Sequence, residues 1–354
     1  MLRTIEEMVT AALEQRASDI HLSEGNPVMF RIDGRLLPAE DEPLTGEDIS
    51  AVWQKMIDEQ KQRHLEETGE LDFSISSESG SRLRVNLFRQ RGSYAMVFRI
   101  LPSHIPDPKE LGIPEAVMEL TGRRRGLVLV TGATGSGKST TLASMIHKIA
   151  MTYEKHIITL EDPIEYLHKT DKSVVVQREV GSDTLSYANA LRAALRQDPD
   201  VILVGEMRDL ETISTAITAA ETGHLVFSTL HTNSAASTIE RIIDVFPPHQ
   251  QGQVRTQLAN VLEGIVCQQL LNREREPGRV AAFEVMLANS AIRNLIRENK
   301  THQITTMMQT GKKNGMQMMD EELVNLYNRR IISGQTAVDF AQDPAAMEQK
   351  VILF

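Results

Sequence analysis

The sequence is poor in cysteine and in aromatic residues, and it has no excess of positive charge. Its single cysteine, Cys267, excludes an internal disulfide framework and a zinc site built from cysteines. Aromatic residues make up 4%, and 38 Lys and Arg against 48 Asp and Glu give a formal charge of −10. Proteins that bind nucleic acid usually combine a basic face with aromatic side chains that stack on bases, so this composition argues against a nucleic-acid partner.

Long apolar runs are also missing. No stretch approaches the roughly 20 apolar residues that span a bilayer, and residues 1–15 lack the basic start and apolar core of a signal peptide. We therefore expect a cytoplasmic protein without direct membrane insertion. A chain of 354 residues, of which 41% are hydrophobic and 24% charged, has enough material for about two globular domains.

A proline-rich break separates two patterns along the chain. Residues 1–101 mix helical periodicity with alternating strands, which predicts an N-terminal α+β domain. Four prolines within residues 102–114 predict an extended linker over residues 102–113. Over residues 114–354, short apolar runs first alternate with helices, which indicates a mainly parallel sheet covered on both faces. From about residue 233 onwards we expect a helical C-terminal part.

The strongest motif is the glycine-rich segment at residues 132–139, which matches the pattern G-x-x-x-x-G-K-[ST]. A strand-like run precedes it and a helical pattern follows, so its backbone N–H groups and the helix N-terminus can face phosphates. Lys138 would neutralise the β- and γ-phosphates, and Ser139 would bind Mg²⁺. We expect ATP to contact the whole turn: Gly132, Ala133, Thr134, Gly135, Ser136, Gly137, Lys138, Ser139 and Thr140.

Two acidic segments follow apolar runs farther along the chain. Glu206 comes directly after VILVG, where a parallel topology brings a carboxylate beside Mg²⁺. Glu161, Asp162 and Glu165 follow HIITL; we expect Glu165 to polarise the attacking water and the other two to support the metal or Glu165. A helix cap or solvated acid at Glu206, and an ordinary acidic turn stiffened by Pro163, remain the alternatives.

Two histidines bracket the next apolar run. His224 and His231 are seven residues apart, at opposite ends of a strand about 20 Å long, so they cannot bind one metal ion together. We expect His231, at the carboxyl end, to donate a hydrogen bond to the γ-phosphate. A structural role for His224 is as good an interpretation as a functional one.

Together these segments resemble the secretion-ATPase family, which comprises motors of type II and type IV secretion and of type IV pili. The resemblance rests on a Walker A motif, an acidic box, a Walker B motif, a histidine box and two N-terminal segments, at residues 132–139, 159–166, 200–209, 221–232, 17–22 and 31–34. It implies an α/β protein in which a PAS-like N-terminal domain precedes a RecA-like P-loop NTPase domain.

Finer features are similar to the pilus retraction branch of this family. The chain lacks the four-cysteine metal site usual in assembly and type II secretion members, Met207 lies in GEMRD, and residues 291–298 read AIRNLIRE. The resemblance implies a hexameric ATP-hydrolysing motor for pilus retraction and twitching motility. It also implies a location at the inner face of the cytoplasmic membrane, through an inner-membrane platform protein of the pilus machine. A pilus assembly or type II secretion ATPase is the alternative, and a RecA-like nucleic-acid motor is less favoured.

Four arginines complete the candidate residues. The resemblance implies that N-terminal arginines approach the phosphates, and Arg84 and Arg99 best match those positions. They lie 15 positions apart on separate predicted strands, so only folding could bring them together. In AIRNLIRE, Arg293 and Arg297 fall on the polar arc of a helix, and we expect each alanine replacement to cost within about 0.5 kcal/mol.

Overall fold

A computed structural model describes residues 4–78, 80–102 and 104–352. These residues divide into two compact units. The first unit runs to His104 and includes Pro163–Leu167, and the second comprises Ile105–Asp162 and the chain from His168 onwards. The division falls inside the linker expected at residues 102–113. The expected domain limits at residues 1 and 354, and Ser103 of the linker, lie outside the described residues, so the domain limits stay a prediction.

The first unit combines an antiparallel sheet with helices. Its helices are α1 (Ile5–Glu14), α2 (Gly46–Trp53) and α3 (Glu59–Thr68). Its strands are β1 (Asp19–Ser23), β2 (Met29–Ile32), β3 (Arg35–Pro38), β4 (Glu70–Ser76), β5 (Arg82–Gln90) and β6 (Ser93–Ile100). Within the described ranges they form one six-stranded sheet in the order β3-β2-β1-β6-β5-β4, antiparallel at every step.

The alternation of side chains along β5 decides where its arginines point. Leu83, Val85 and Leu87 are buried in the core of this unit, together with Phe98 of β6. Because successive side chains of a strand point to opposite faces, Arg84 projects from the face that the core leaves open.

The second unit has a larger sheet. Its strands are β7 (Gly126–Thr131), β8 (His156–Glu161), β9 (Val174–Glu179), β10 (Val201–Val204), β11 (Leu225–Leu230), β12 (Leu262–Asn272) and β13 (Arg279–Leu287). Over the described residues their order is β13-β12-β7-β11-β10-β8-β9, and neighbours are parallel except for β12 and β13. The expected mainly parallel sheet is confirmed.

Helices cover both faces of this sheet. They are α4 (Glu115–Glu119), α5 (Lys138–Thr152), α6 (Tyr187–Ala194), α7 (Leu210–Glu221), α8 (Ala235–Asp244), α9 (Pro248–Val261), α10 (Ser290–Arg297), α11 (Ile304–Thr310), α12 (Met319–Asn328), α13 (Gly334–Phe340) and α14 (Pro344–Glu348). Leu127 and Leu129 of β7 enter one apolar cluster, and Val128 and Val130 enter another. Apolar side chains on both faces explain why β7 is a continuous apolar run.

The expectation that the C-terminal part is helical from about residue 233 needs a correction. This part also contributes β12 and β13, and β12 lies between β13 and β7 in the sheet. The buried run around Cys267 in β12 does not alternate, and periodicity cannot distinguish such a run from a buried helical segment. Cys267 itself is buried.

None of the helices in the described part of the chain has both the length and the hydrophobicity that a membrane-spanning helix requires.

Two histidines stack inside the second unit. The ring centroids of His147, in α5, and His168 are 6.4 Å apart. Burial lowers the pKa of His168 from 6.5 to about 4, and the charge of His147 acts in the same direction.

We predict that His168 makes the protein less stable in acid. An unfolded histidine binds its proton near pH 6.5 and the folded one only near pH 4, so between these values the unfolded state binds more protons. The contribution of His168 to stability is complete above pH 6.5 and is lost as the pH falls towards 4. His168→Gln should therefore reduce the loss of unfolding free energy over this interval in urea titrations. The exposed His249→Gln is the control, and equal pH dependence of both variants would contradict the prediction.

Candidate functional site

The glycine-rich turn joins the carboxyl end of β7 to the beginning of α5. At such an edge of a parallel sheet, the N–H groups of the first helical turn attract anions. Lys138 is buried, and its Nζ donates hydrogen bonds to the carbonyl oxygens of Gly132 at 2.8 Å and Ala133 at 2.9 Å. The ammonium group therefore lies against the turn that is expected to hold phosphates.

Gln268 of β12 packs against this turn. Gly132 has a φ of +142°, and a Cβ at this position would lie 2.3 Å from the carbonyl oxygen of Gln268. Gly137 has a φ of +91°, and its Cβ would lie 2.8 Å from Gln268 Nε2. Gln268 Oε1 also accepts a hydrogen bond from Thr141 Oγ1 at 2.7 Å. Only glycine fits at residues 132 and 137. Gln268 is not recognisable from the sequence, because only the pairing of β12 with β7 brings it here.

Glu206 and His231 meet at the carboxyl ends of β10 and β11. Glu206 Oε1 accepts a hydrogen bond from His231 Nε2 at 3.1 Å, and its Oε2 lies 2.7 Å from Arg208 Nη2. Partial burial by itself would raise the pKa of Glu206, but the contacts with Arg208 and His231 outweigh it and lower that pKa below its ordinary value. Glu206 is therefore a carboxylate at neutral pH.

Further acidic side chains gather at the same edge. Glu161 ends β8, and its Oε1 accepts hydrogen bonds from Thr159 Oγ1 at 2.6 Å and Gln177 Nε2 at 3.1 Å.

Tyr187, at the start of α6, lies among these acidic groups. Burial raises the pKa of its hydroxyl, and so do the charges of Asp162, Glu206 and Glu161. A Cβ on Gly205 would lie 2.8 Å from Tyr187 Oη, so this residue too must be small. Sequence reasoning did not single out Tyr187.

Glu165 does not belong to the unit that carries the other acids. It lies in Pro163–Leu167, which groups with the first unit. The role expected for Glu165 in activating water stays a prediction.

Arg84 and Arg99 face each other on β5 and β6. Asp19 is opposite Arg99, and Arg31 is opposite Asp19, so the four side chains form a row across one face of the first sheet. Asp19 Oδ1 lies 3.0 Å from Arg99 Nε, and Asp19 Oδ2 lies 3.9 Å from Arg31 Nε. The side chain of Arg99 remains 66% exposed. Asp19 and Arg31 are not recognisable from the sequence as neighbours of Arg99, because only strand register aligns them with it.

A cavity of about 380 Å³ opens in the second unit beside Gly137 and Thr140. Strands β12 and β13 and helix α12 contribute to its walls. Its charged lining consists of Lys109, Glu110, Arg273, Arg279, Glu322 and Arg329. The cavity adjoins the turn on the side of β12, away from Glu206.

The oxygen donors at the carboxyl edge suit Mg²⁺. The described residues contain no group of three or more His, Cys, Asp or Glu side chains that could hold a metal ion. Mg²⁺ does not need such a group, because it usually binds to one or two protein oxygens, substrate phosphates and water. A hydroxyl at Ser139 and carboxylates at Glu206, Glu161 and Asp162 provide donors of that kind.

Helix α10 contains most of the AIRNLIRE segment, and one expectation for it is wrong. Arg293 is not a solvated surface residue, since its side chain is only 20% exposed. Its guanidinium donates to the carbonyl oxygens of Ala259 at 2.7 Å and Asn260 at 2.8 Å and to Glu263 Oε1 at 2.8 Å. It thereby binds the end of α9, which helical periodicity alone could not reveal. Arg297 is exposed, as expected.

The fold and this edge of the sheet define a P-loop ATPase. The family model described as "Type II/IV secretion system protein" matches residues 1–330, and the chain belongs to this family. It is similar to the type IV pilus retraction ATPase PilT of Pseudomonas aeruginosa, with 47% identity over 340 residues, covering 96% of this chain and 98% of the relative.

A second relative and a solved structure indicate the same family. A twitching motility protein of Neisseria gonorrhoeae is 44% identical over 338 residues, covering 96% of this chain and 90% of the relative. A crystal structure of the pilus retraction motor PilT with bound ADP has a TM-score of 0.92 and 52% identity, covering 98% of this chain and 99% of that one. The expected family is confirmed.

We predict that the two arginines of α10 differ in their effect on stability. Arg293→Ala should lower the free energy of unfolding by about 1.5–3 kcal/mol, because it leaves helix-end carbonyls and Glu263 without their charged donor. Arg297→Ala should change it by less than about 0.5 kcal/mol. Urea unfolding of both variants checks this difference, and equal small effects would show that the Arg293 contacts do not stabilise the fold.

Proposed function

We propose that this chain is a hexameric ATP-hydrolysing motor that drives type IV pilus retraction and twitching motility. One observation supports this above the others. A chain that matches a retraction ATPase over almost its full length has Lys138 against the glycine-rich turn and a Glu206–His231 pair at the carboxyl ends of β10 and β11.

The nucleotide would bind along the second unit from the acidic edge to the cavity. Residues 132–140 would hold the phosphates, with Lys138 exchanging its carbonyl partners for phosphate oxygens. The cavity beside Thr140 has the size and mixed polarity to receive the nucleoside. Ser139 and Glu206, supported by Glu161 and Asp162, would hold Mg²⁺, which neutralises charge on the β- and γ-phosphates.

Hydrolysis of the γ-phosphate needs positioning and electrostatic stabilisation more than covalent chemistry. Glu165 would orient the attacking water. Arg84 and Arg99 would compensate the negative charge that develops on the phosphoryl oxygens. His231 Nε2 donates to Glu206. When the γ-phosphate is present, this N–H would donate to the phosphate instead, so that the Glu206 contact would depend on the bound nucleotide.

Motor action requires that these contacts change how the domains pack. We infer an N-terminal α+β domain over residues 1–101, a hinge at residues 102–113 and an ATPase domain over residues 114–354. Six copies would form a ring at the inner face of the cytoplasmic membrane, bound to an inner-membrane platform protein of the pilus. No nucleic acid is required.

The cellular role predicts a specific phenotype. Cells without this gene should keep type IV pili that extend but do not retract, and they should lose twitching. Wild-type protein should restore retraction, whereas Lys138→Ala should not, because the phosphates lose their charge partner. Fluorescently labelled pili followed by microscopy check this. Absence of pili in the deletion strain would instead indicate an assembly ATPase.

The catalytic assignments predict a separation of binding from turnover. Glu165→Gln and Glu206→Gln should still fold and bind ATP, and each should lose about 10²–10⁴-fold in kcat, as is usual when one positioned catalytic group is removed. Phosphate release and binding of a fluorescent ATP analogue measure the two properties. If Glu165→Gln hydrolyses ATP at the wild-type rate, Glu165 does not orient the attacking water and another acid has that role.

A further inference from the structure

Glu284 is a buried carboxylate with no part in the site described above. It lies in β13, is 2% exposed and is directly opposite Cys267 of β12. Its Oε1 accepts a hydrogen bond from the backbone N–H of Ala235 at 2.8 Å, and its Oε2 accepts one from Gln342 Nε2 at 2.8 Å. The Met319 N–H and the Cys267 thiol also act to lower the pKa of its carboxyl. A buried carboxylate with two hydrogen-bond donors is a built feature of the interior, because an unpaired one would be costly to bury.

Two of these groups lie at the beginnings of helices. Ala235 is the first residue of α8, and Met319 is the first residue of α12. The N-cap of α12, Met318, provides no side-chain hydrogen bond, and the Met319 N–H acts on the Glu284 carboxyl by lowering its pKa. A negative charge is favourable at a helix N-terminus. One side chain therefore binds the beginning of α8 and acts electrostatically on the beginning of α12.

The α8 side of this contact leads to the ATPase site. Residues 231–234 connect β11 to α8, and this loop carries His231, whose Nε2 donates to Glu206. Gln342 Nε2 also donates to the carbonyl oxygen of Asn233, at 3.3 Å. Glu284 and Gln342 thus hold the loop at the end away from Glu206.

The α12 side leads to the C-terminal helices. Asp320 of α12 accepts hydrogen bonds from the backbone N–H groups of Gln342 at 2.7 Å and Asp343 at 3.1 Å. Asp343 in turn caps α14 through the N–H of Ala346. Helices α12, α13 and α14 are therefore tied to Gln342, and through it to the loop that carries His231.

Burial of Glu284 disfavours the charged form of its carboxyl. Burial raises the pKa of its carboxyl above the ordinary value, although the Ala235 and Gln342 donors oppose this change. Loss of one donor would therefore weaken the arrangement at both helix ends.

We propose that Glu284 and Gln342 are positioning residues for ATP hydrolysis. They hold the 231–234 loop so that His231 meets Glu206. They also couple that contact to the position of helices α12–α14. This inference rests on the proposed role of His231 in the site. A shift of the C-terminal helices would then change the rate of hydrolysis without any contact with the nucleotide.

Gln342→Ala tests the inference, because it removes the side-chain contacts with Glu284 and Asn233 and leaves the Glu284 carboxyl and its Ala235 donor in place. The side chain is exposed, and the backbone N–H that binds Asp320 remains in the variant. We expect kcat for ATP to fall about 10-fold with unchanged KM, since small misplacements of catalytic groups reduce rates by such factors. Gln349→Ala, an exposed glutamine in the same C-terminal region, is the matched control and should hydrolyse ATP at the wild-type rate.

A double-mutant cycle separates positioning from a merely structural role. If Gln342 acts through His231, adding Gln342→Ala to His231→Ala should lower kcat by less than about twofold, because the contact is already lost. An equal loss in both backgrounds, or no loss in the single variant, would overturn the inference. Glu284→Gln, which keeps the shape of the side chain, should show the same dependence on His231 if it folds; if it does not, the Gln342 cycle decides.

The same cycle distinguishes a failure of the proposed site from a failure of the positioning role. A wild-type kcat in His231→Ala would show that His231 has no role in turnover, which is a failure of the proposed site. An impaired His231→Ala beside an unimpaired Gln342→Ala would overturn the positioning role alone.

Discussion

The position of β7 between β11 and β12 is the constraint on which the ATPase unit depends. Thr131, the last residue of β7, is in register with Leu230 of β11 and with Cys267 of β12. The residues that follow these three are Gly132, His231 and Gln268. Backbone pairing alone therefore brings to the phosphate turn a histidine and a glutamine that lie about a hundred or more residues after it in the sequence. The hydrogen bonds and close contacts of the site follow from this register.

The charge of the protein is organised locally, although its sum is strongly negative. In the second unit, carboxylates from β8 and β10 lie at one edge of the sheet, where Glu206 is balanced by Arg208 and His231. In the first unit, Asp19 lies between Arg99 and Arg31 and holds their guanidinium groups on one face. Net charge argued against a nucleic-acid partner, but it gave no information on these two arrangements.

Helix α10 shows that one short segment can serve two purposes. Ile292 and Ile296 are buried and Arg293 holds the end of α9, while Arg297 remains exposed. The arginines look equivalent on a helical wheel, because a wheel shows direction and not what lies in that direction. Of the two arginines, Arg297 is the exposed one, and its guanidinium donates to the side-chain oxygens of Asn260 and Asn294.

The sequence by itself determined the class of fold and the places where chemistry could occur. Local pattern suffices for both: the continuous apolar run of β7 requires burial on two faces, and the turn at residues 132–139 requires glycines where the backbone approaches phosphates. Tertiary structure decided what those places contain. Gln268, Tyr187, Asp19 and Glu284 were not assigned to any site from the sequence, because each acquires its partners through strand pairing or helix packing over long separations. The strands β12 and β13 were missed for a different reason, since a continuously buried run has no period that distinguishes a strand from a helix.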